Sequence, residues 1–149
     1  MTTDWRENFV REVTARYIGP RRRGLRINGP EDAARFMRTL LRDDAREHFF
    51  ALYLNGAHHV VSFSLVSLGT ANTAPACPRE IFSGAVLVGA VALIVGHNHP
   101  SSEVTPSRED IAVTKKLGEA AGILGIPLLD HVVFSRNDYV SLKERGFFD

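Results

Sequence analysis

Residues 91–95 read VALIV and run directly into GHNHP at 96–100. An apolar run of this length with no polar alternation suits a central strand, covered on both faces. Pro100 stops that strand and stiffens its exit. Side chains two positions apart along a strand share a face. His97 and His99 therefore point the same way at the strand end, and Asn98 points the other way. Gly96 allows close backbone approach at this point.

A helix start follows at Thr105-Pro106-Ser107. Apolar groups at Ile111, Ala112, Leu117, Ala120, Ala121 and Leu124 give helical spacing over 107–124. Asp110 sits in the first turn, where a helix beginning beside the strand end brings its carboxylate to the two histidines. Two His and one Asp leave a tetrahedral ion with one open position, a catalytic rather than a structural arrangement. Zinc suits this ligand set best, and iron, cobalt and manganese are compatible with it. A plainer reading stands beside this one. Ser107-x-x-Asp110 is a capping pattern, and an acid in a first turn favours the helix dipole on its own. The single cysteine, Cys77, excludes both an intrachain disulfide and a cysteine-rich zinc site. It reads as a small apolar filler.

Water activated by a metal also needs a general base, usually a Glu outside the ligand set. Glu47 stands at the start of HFFALYL at 48–54, so it has a fixed direction at a strand edge, or is simply a solvated residue before the strand. Spacing alone does not choose it over the other glutamates.

The rest of the chain supplies the scaffold. Trp5, Phe9, Val13 and Tyr17 suggest a helix over 4–17, broken by Gly19-Pro20. Leu25–Ile27 reads as a short strand. Gly29-Pro30 opens a helix with Ala33, Phe36, Met37, Leu40 and Leu41 on one face, ending near Arg42. His48–Leu54 and His59–Val66 read as strands joined at the Asn55-Gly56 turn signal, with His58 and His59 on the surface. A polar loop spans residues 69 to 78. Residues 79–90 favour a helix, since Pro78 precedes them. Leu128–Phe134 and Tyr139–Leu142 read as strands around the Asn137-Asp138 turn; Asp130-His131 reads as a pair holding the sheet edge, with the other reading an Asp or His that bonds to a metal ligand and fixes its tautomer. Strands interleaved with helices and two hairpin signals give an α/β (α+β) layered domain with a mixed sheet.

Charge divides the chain. Residues 1–46 hold 11 Arg against 7 Asp and Glu, whereas residues 47–149 hold 7 Lys and Arg against 10 acids. The densest basic run is RYIGPRRRGLR at 16–26. Arg21, Arg22 and Arg23 there offer a contact for nucleic acid, or a solvated arm with no partner. No apolar run is long enough to span a bilayer, and the charged MTTDWRENFVREV start has no secretory apolar region, so a cytoplasmic location is expected.

Glu47, then His97-x-His99, ten residues and Asp110, with Ser107 between, resembles the JAMM signature of the JAB/MPN metallopeptidases. REHFFALYLN at 46–55, VSLGTAN at 66–72, PREIF at 78–82, HNHPS at 97–101, TPSRED at 105–110 and GIPLLDHVVF at 125–134 are similar to the RadC branch of that family. The resemblance divides the chain into a helical, basic extension over 1–26 and a RadC-like JAB/MPN domain over 27–149. It implies a curved mixed sheet flanked by helices, similar to the cytidine deaminase fold. It implies one zinc ion held by His97, His99 and Asp110. Glu47 would move the proton from water to the leaving amine, and Ser107 would donate to the oxyanion. The implied substrate is a peptide or protein, cut by a zinc metallopeptidase or isopeptidase. The alternative is a DNA-associated accessory protein of repair or a mobile element, with a structural or vestigial metal. A third reading is a zinc-stabilised scaffold without turnover. Two departures stand out. RadC proteins usually carry a helix-hairpin-helix module, and the residues ahead of 27 are too few to hold one. The family often continues HNHPS with Gly, an acid and Pro, where this chain has Ser102-Glu103-Val104.

Overall fold

A computed structural model describes residues 12–14, 16–69 and 77–148. Among the described residues, three helices and five strands follow in the order α1 (Pro30–Arg38), β1 (Glu47–Leu54), β2 (Val60–Gly69), α2 (Pro78–Val88), β3 (Ala92–Asn98), α3 (Arg108–Leu124), β4 (Leu128–Phe134) and β5 (Tyr139–Ser141). The strands form one mixed sheet in the order β2-β1-β3-β4-β5. Only β3 and β4 run parallel, joined by the α3 crossover, and the other neighbours are antiparallel. Among the described residues no helix is long and apolar enough to cross a membrane.

Period-two alternation sorts β1 onto two cores. Phe50, Leu52 and Leu54 pack with Ile94, Val132 and Phe134 against Ala33, Phe36 and Met37 of α1. Phe49, Ala51 and Tyr53 pack with Leu93 and Val95 against Ile81 and Phe82 of α2 and Val113 and Leu117 of α3. The central strand β3 is buried along its whole length. Gly96 faces α1, and a Cβ there would meet the Met37 side chain and lie 2.8 Å from the Val132 carbonyl oxygen. The missing side chain is what lets α1 seat over the end of β3.

Several elements differ from the expectation. β3 reaches Asn98 rather than stopping at Val95, because β4 continues to pair with it as far as Phe134. β2 reaches Gly69. The β1–β2 connection spans residues 55–59, one residue longer than the expected strand bounds leave. Asn55 Oδ1 accepts the N–H groups of Ala57 and His59, and His58 takes φ 62°. Helix α1 ends at Arg38 in a turn where Leu40 N–H returns to the Met37 carbonyl. Leu25–Ile27 is not a strand but a single bridge from Arg26 to His59. The helix expected over 4–17 lies mostly outside the described residues, and residues 12–14 and 16–18 carry no helix. Most of the polar loop, 70–76, also lies outside them. Cys77 is exposed ahead of α2, so it is not an apolar filler.

Candidate metal centre

Three elements converge at one end of the sheet. Phe49 stands opposite His97, so the start of β1 lies beside the end of β3. Helix α3 begins against the same place. Its N-cap is Ser107, whose Oγ accepts the Asp110 N–H at 3.0 Å, while the Asp110 carboxylate accepts the Ser107 N–H at 2.8 Å. The capping reading of Ser107-x-x-Asp110 therefore holds, and it fixes the Asp110 side chain. That carboxylate lies 3.2 Å from His97 Nε2 and 3.6 Å from His99 Nε2. Glu47, His97 and His99 each offer a ligand atom, the three within 4.8 Å of one another, with Glu47 Oε1 3.7 Å from His97 Nε2.

The hydrogen-bond network dictates which imidazole nitrogens are bare. His99 Nδ1 lies 2.7 Å from the Glu103 carbonyl oxygen, which only accepts, so His99 Nδ1 carries the hydrogen. Thr114 Oγ1 donates to the Asp110 carbonyl at 2.6 Å, so it accepts from His131 Nδ1 at 2.6 Å. Burial, followed by the neighbouring His97, pushes His131 well below the usual histidine range and keeps it neutral. His131 Nε2 is thus an acceptor, and His97 Nδ1 donates to it across 2.8 Å. With hydrogen on both Nδ1 atoms, the neutral rings present Nε2 lone pairs to each other across 3.0 Å. Two lone pairs in that position repel unless a proton or a cation lies between them.

A tetrahedral ion with bonds of about 2.0–2.1 Å has ligand–ligand edges of roughly 3.3 Å. The His97 Nε2–His99 Nε2 and His97 Nε2–Asp110 Oδ1 separations of 3.0 and 3.2 Å lie close to that value, and the second carboxylate oxygen, Oδ2, is 3.6 Å from His99 Nε2. The donor set therefore fits a metal ion. Burial raises the Asp110 carboxyl, but the histidines and the Ser107 N–H outweigh it and hold it well below the usual carboxylate range. Asp110 in turn raises His99, against desolvation. A carboxylate and two imidazole nitrogens thus converge on one place, Oδ1 beside His97 and Oδ2 nearer His99.

A family model described as RadC-like JAB domain matches residues 27–147. The chain belongs to the RadC-like JAB domain family. A UPF0758 protein of Shouchella clausii is 46% identical over 122 residues, covering 82% of this chain and 53% of the relative. UPF0758 proteins of Bacillus cereus and Staphylococcus aureus are 46% and 47% identical, covering 80% and 84% of this chain and 53% and 55% of theirs. The RadC-like chain thus spans about half the length of the curated relatives it matches.

The two readings open for Asp130-His131 in this RadC-like domain divide between the two residues. The Asp130-His131 pair splits between the two faces of β4. Asp130 is structural as expected, accepting from Ser141 Oγ at 2.6 Å and from the Lys143 N–H at 3.2 Å. His131 contacts His97, Nε2 to Nδ1 at 2.8 Å, and is backed by Thr114 from α3. The available signal was a histidine inside an apolar strand, LLDHVVF, adjacent to the strand that carries His97. The Ser102-Glu103-Val104 departure keeps the loop in place. Val104 is buried with Val133, Val140 and Leu142. The Glu103 side chain turns to Thr105 Oγ1 at 2.5 Å, and its carbonyl holds His99. His58 and His59 are exposed. Arg21, Arg22 and Arg23 are exposed as well, with Arg22 5.7 Å over the Phe63 ring.

Proposed function

We propose that this domain is a zinc-dependent hydrolase of the metallopeptidase or isopeptidase type, with one ion held by His97, His99 and Asp110. The observation that carries this reading is the paired Nε2 lone pairs of His97 and His99, each with its Nδ1 committed elsewhere, facing the Asp110 carboxylate. Zinc in such a place supplies Lewis acidity and lowers the pKa of a water. Glu47, half-buried at the rim, would serve as the general base that accepts a proton from the attacking water and returns it to the leaving amine. Ser107 is exposed at the helix start, and its Oγ accepts the Asp110 N–H, which leaves the hydroxyl hydrogen to donate to a developing oxyanion. The substrate is then an amide in a peptide or protein chain.

Metal analysis of purified protein, wild type against Asp110→Ala, is the first test. Near-stoichiometric zinc in the wild type and a large loss in the variant are expected, and equally little zinc in both removes the site. Screening peptide and isopeptide substrates then tests the chemistry. Glu47→Gln should keep zinc and lose turnover.

The second reading is a DNA-associated accessory protein. It is favoured by the Arg-rich run at 16–26, exposed at Arg21, Arg22 and Arg23. It predicts DNA binding that weakens steeply with salt and with alanine at those three positions. Absence of binding at low salt ends it.

A further inference from the structure

The backbone pairing of β1 with β3 stops at Phe49 and His97. One residue further, a side chain takes over. Asn98 Oδ1 accepts the His48 N–H at 2.6 Å, and Asn98 Nδ2 donates to the Arg46 carbonyl at 3.0 Å. The partners fix the amide's orientation, since a backbone N–H only donates and a backbone carbonyl only accepts. Asn98 is 4% exposed and faces away from His97 and His99, so it does not reach the metal ligands. What it grips are the two backbone groups on either side of Glu47.

We propose that Asn98 is a positioning residue that places the Glu47 carboxylate against the metal centre, an inference that rests on the hydrolase reading above. Residues flanking a strand position set the direction of the side chain between them. With Arg46 C=O and His48 N–H tied on the α1 side, the Glu47 side chain is thrown to the opposite side, towards His97 Nε2. A second contact reinforces the clamp. The buried His48 ring donates from Nδ1 to the same Arg46 carbonyl at 2.9 Å and accepts the Arg42 N–H on Nε2 at 3.1 Å. The Asn98 amide also replaces a further rung of backbone ladder. The strands are therefore pinned together while their ends stay apart by the length of a side chain.

Cobalt substitution gives a spectroscopic readout that needs no substrate. Wild type, Glu47→Gln, Asn98→Ala and the double variant are loaded with cobalt(II), and their visible bands and stoichiometry compared. All four should bind cobalt through His97, His99 and Asp110. Asn98→Ala should shift the band in the same sense as Glu47→Gln, and adding it to Glu47→Gln should cause no further shift. Exchange of the His48 amide hydrogen should also quicken by about tenfold or more once its acceptor is gone. A wild-type cobalt spectrum in Asn98→Ala overturns the proposal. So does an undiminished shift in the Glu47→Gln background, which would mean that Asn98 acts through the histidines. If Asn98→Ala does not fold, Asn98→Ser, too short to span both backbone groups, carries the same comparison. Failure of the wild type to bind cobalt would instead sink the hydrolase reading itself.

Discussion

His97 and His131 meet nitrogen to nitrogen, with Nδ1 of one 2.8 Å from Nε2 of the other, and both side chains are buried from solvent. The contact fixes the His97 tautomer and turns its Nε2 toward Asp110 and His99. Partners of this kind typically govern metal affinity by 10–100-fold. His131→Phe fills the space but removes the acceptor, so zinc affinity should fall by about that factor. A competition titration against a chromophoric chelator measures it. Wild-type affinity in the variant would reduce His131 to packing.

The same residue makes the metal-free protein sensitive to acid. Burial lowers the folded pKa of His131, whereas the unfolded chain titrates near 6.5. Below that pH the unfolded state binds a proton that the folded state refuses. The His131 contribution is therefore complete above about pH 6.5 and is lost as pH falls, by up to about 1.4 kcal/mol per unit. His99, raised by Asp110, works in the opposite sense, giving stability below that pH that is lost as pH rises. Comparison of His131→Phe with wild type separates the two. In chelator-treated protein, urea unfolding at pH 7.5 and 5.5 should show the variant gaining on wild type at the lower pH. A constant difference would contradict the buried neutral imidazole.

Much of this centre was legible in the sequence because it is built from local geometry. The i, i+2 rule put His97 and His99 on one face, and the capping pattern at Ser107 put Asp110 in the first turn. Both are properties of a few consecutive residues. Glu47 was different. It lies fifty residues from His97 and reaches it through antiparallel pairing of β1 with β3. Hydrophobic patterning finds such strands but not their register, so only the resemblance selected this Glu. His131 was weighed towards a structural role for the same reason, since its contact crosses from β4 to β3. The hairpin signalled by Asn55-Gly56 is present, and its length is set by the Asn55 side chain, which accepts the Ala57 and His59 N–H groups.

Gly96 should be the least replaceable glycine near the site. A Cβ on it would press into Met37, which could move, and against the Val132 carbonyl at 2.8 Å, which is held in the sheet. Gly96→Ala should therefore destabilise the fold by about 1–3 kcal/mol, as overpacked core positions do. Equilibrium denaturation of the metal-free protein reads this directly. Pairing Gly96→Ala with Met37→Ala should recover only part of the loss, because the carbonyl contact remains. Full recovery would place the whole conflict on the methionine.

Ser102 offers the opposite case, a position that glycine should improve. Its φ is 70°, in the left-handed region, in the turn where its N–H returns to the His99 carbonyl at 3.2 Å. A residue with a Cβ pays about 1–2 kcal/mol there, while glycine costs roughly 0.4–1 kcal/mol through the freedom of the unfolded chain. The balance predicts that Ser102→Gly stabilises by up to about 1 kcal/mol. Ser102→Val, β-branched at the same φ, should destabilise. Metal affinity should stay at the wild-type level in Ser102→Gly, because the Glu103 carbonyl that orients His99 and the buried Val104 that anchors the loop are untouched. Thermal unfolding of the three proteins with and without zinc tests both statements. A loss of stability in Ser102→Gly would mean that the serine side chain contributes more to the loop than its backbone strain costs.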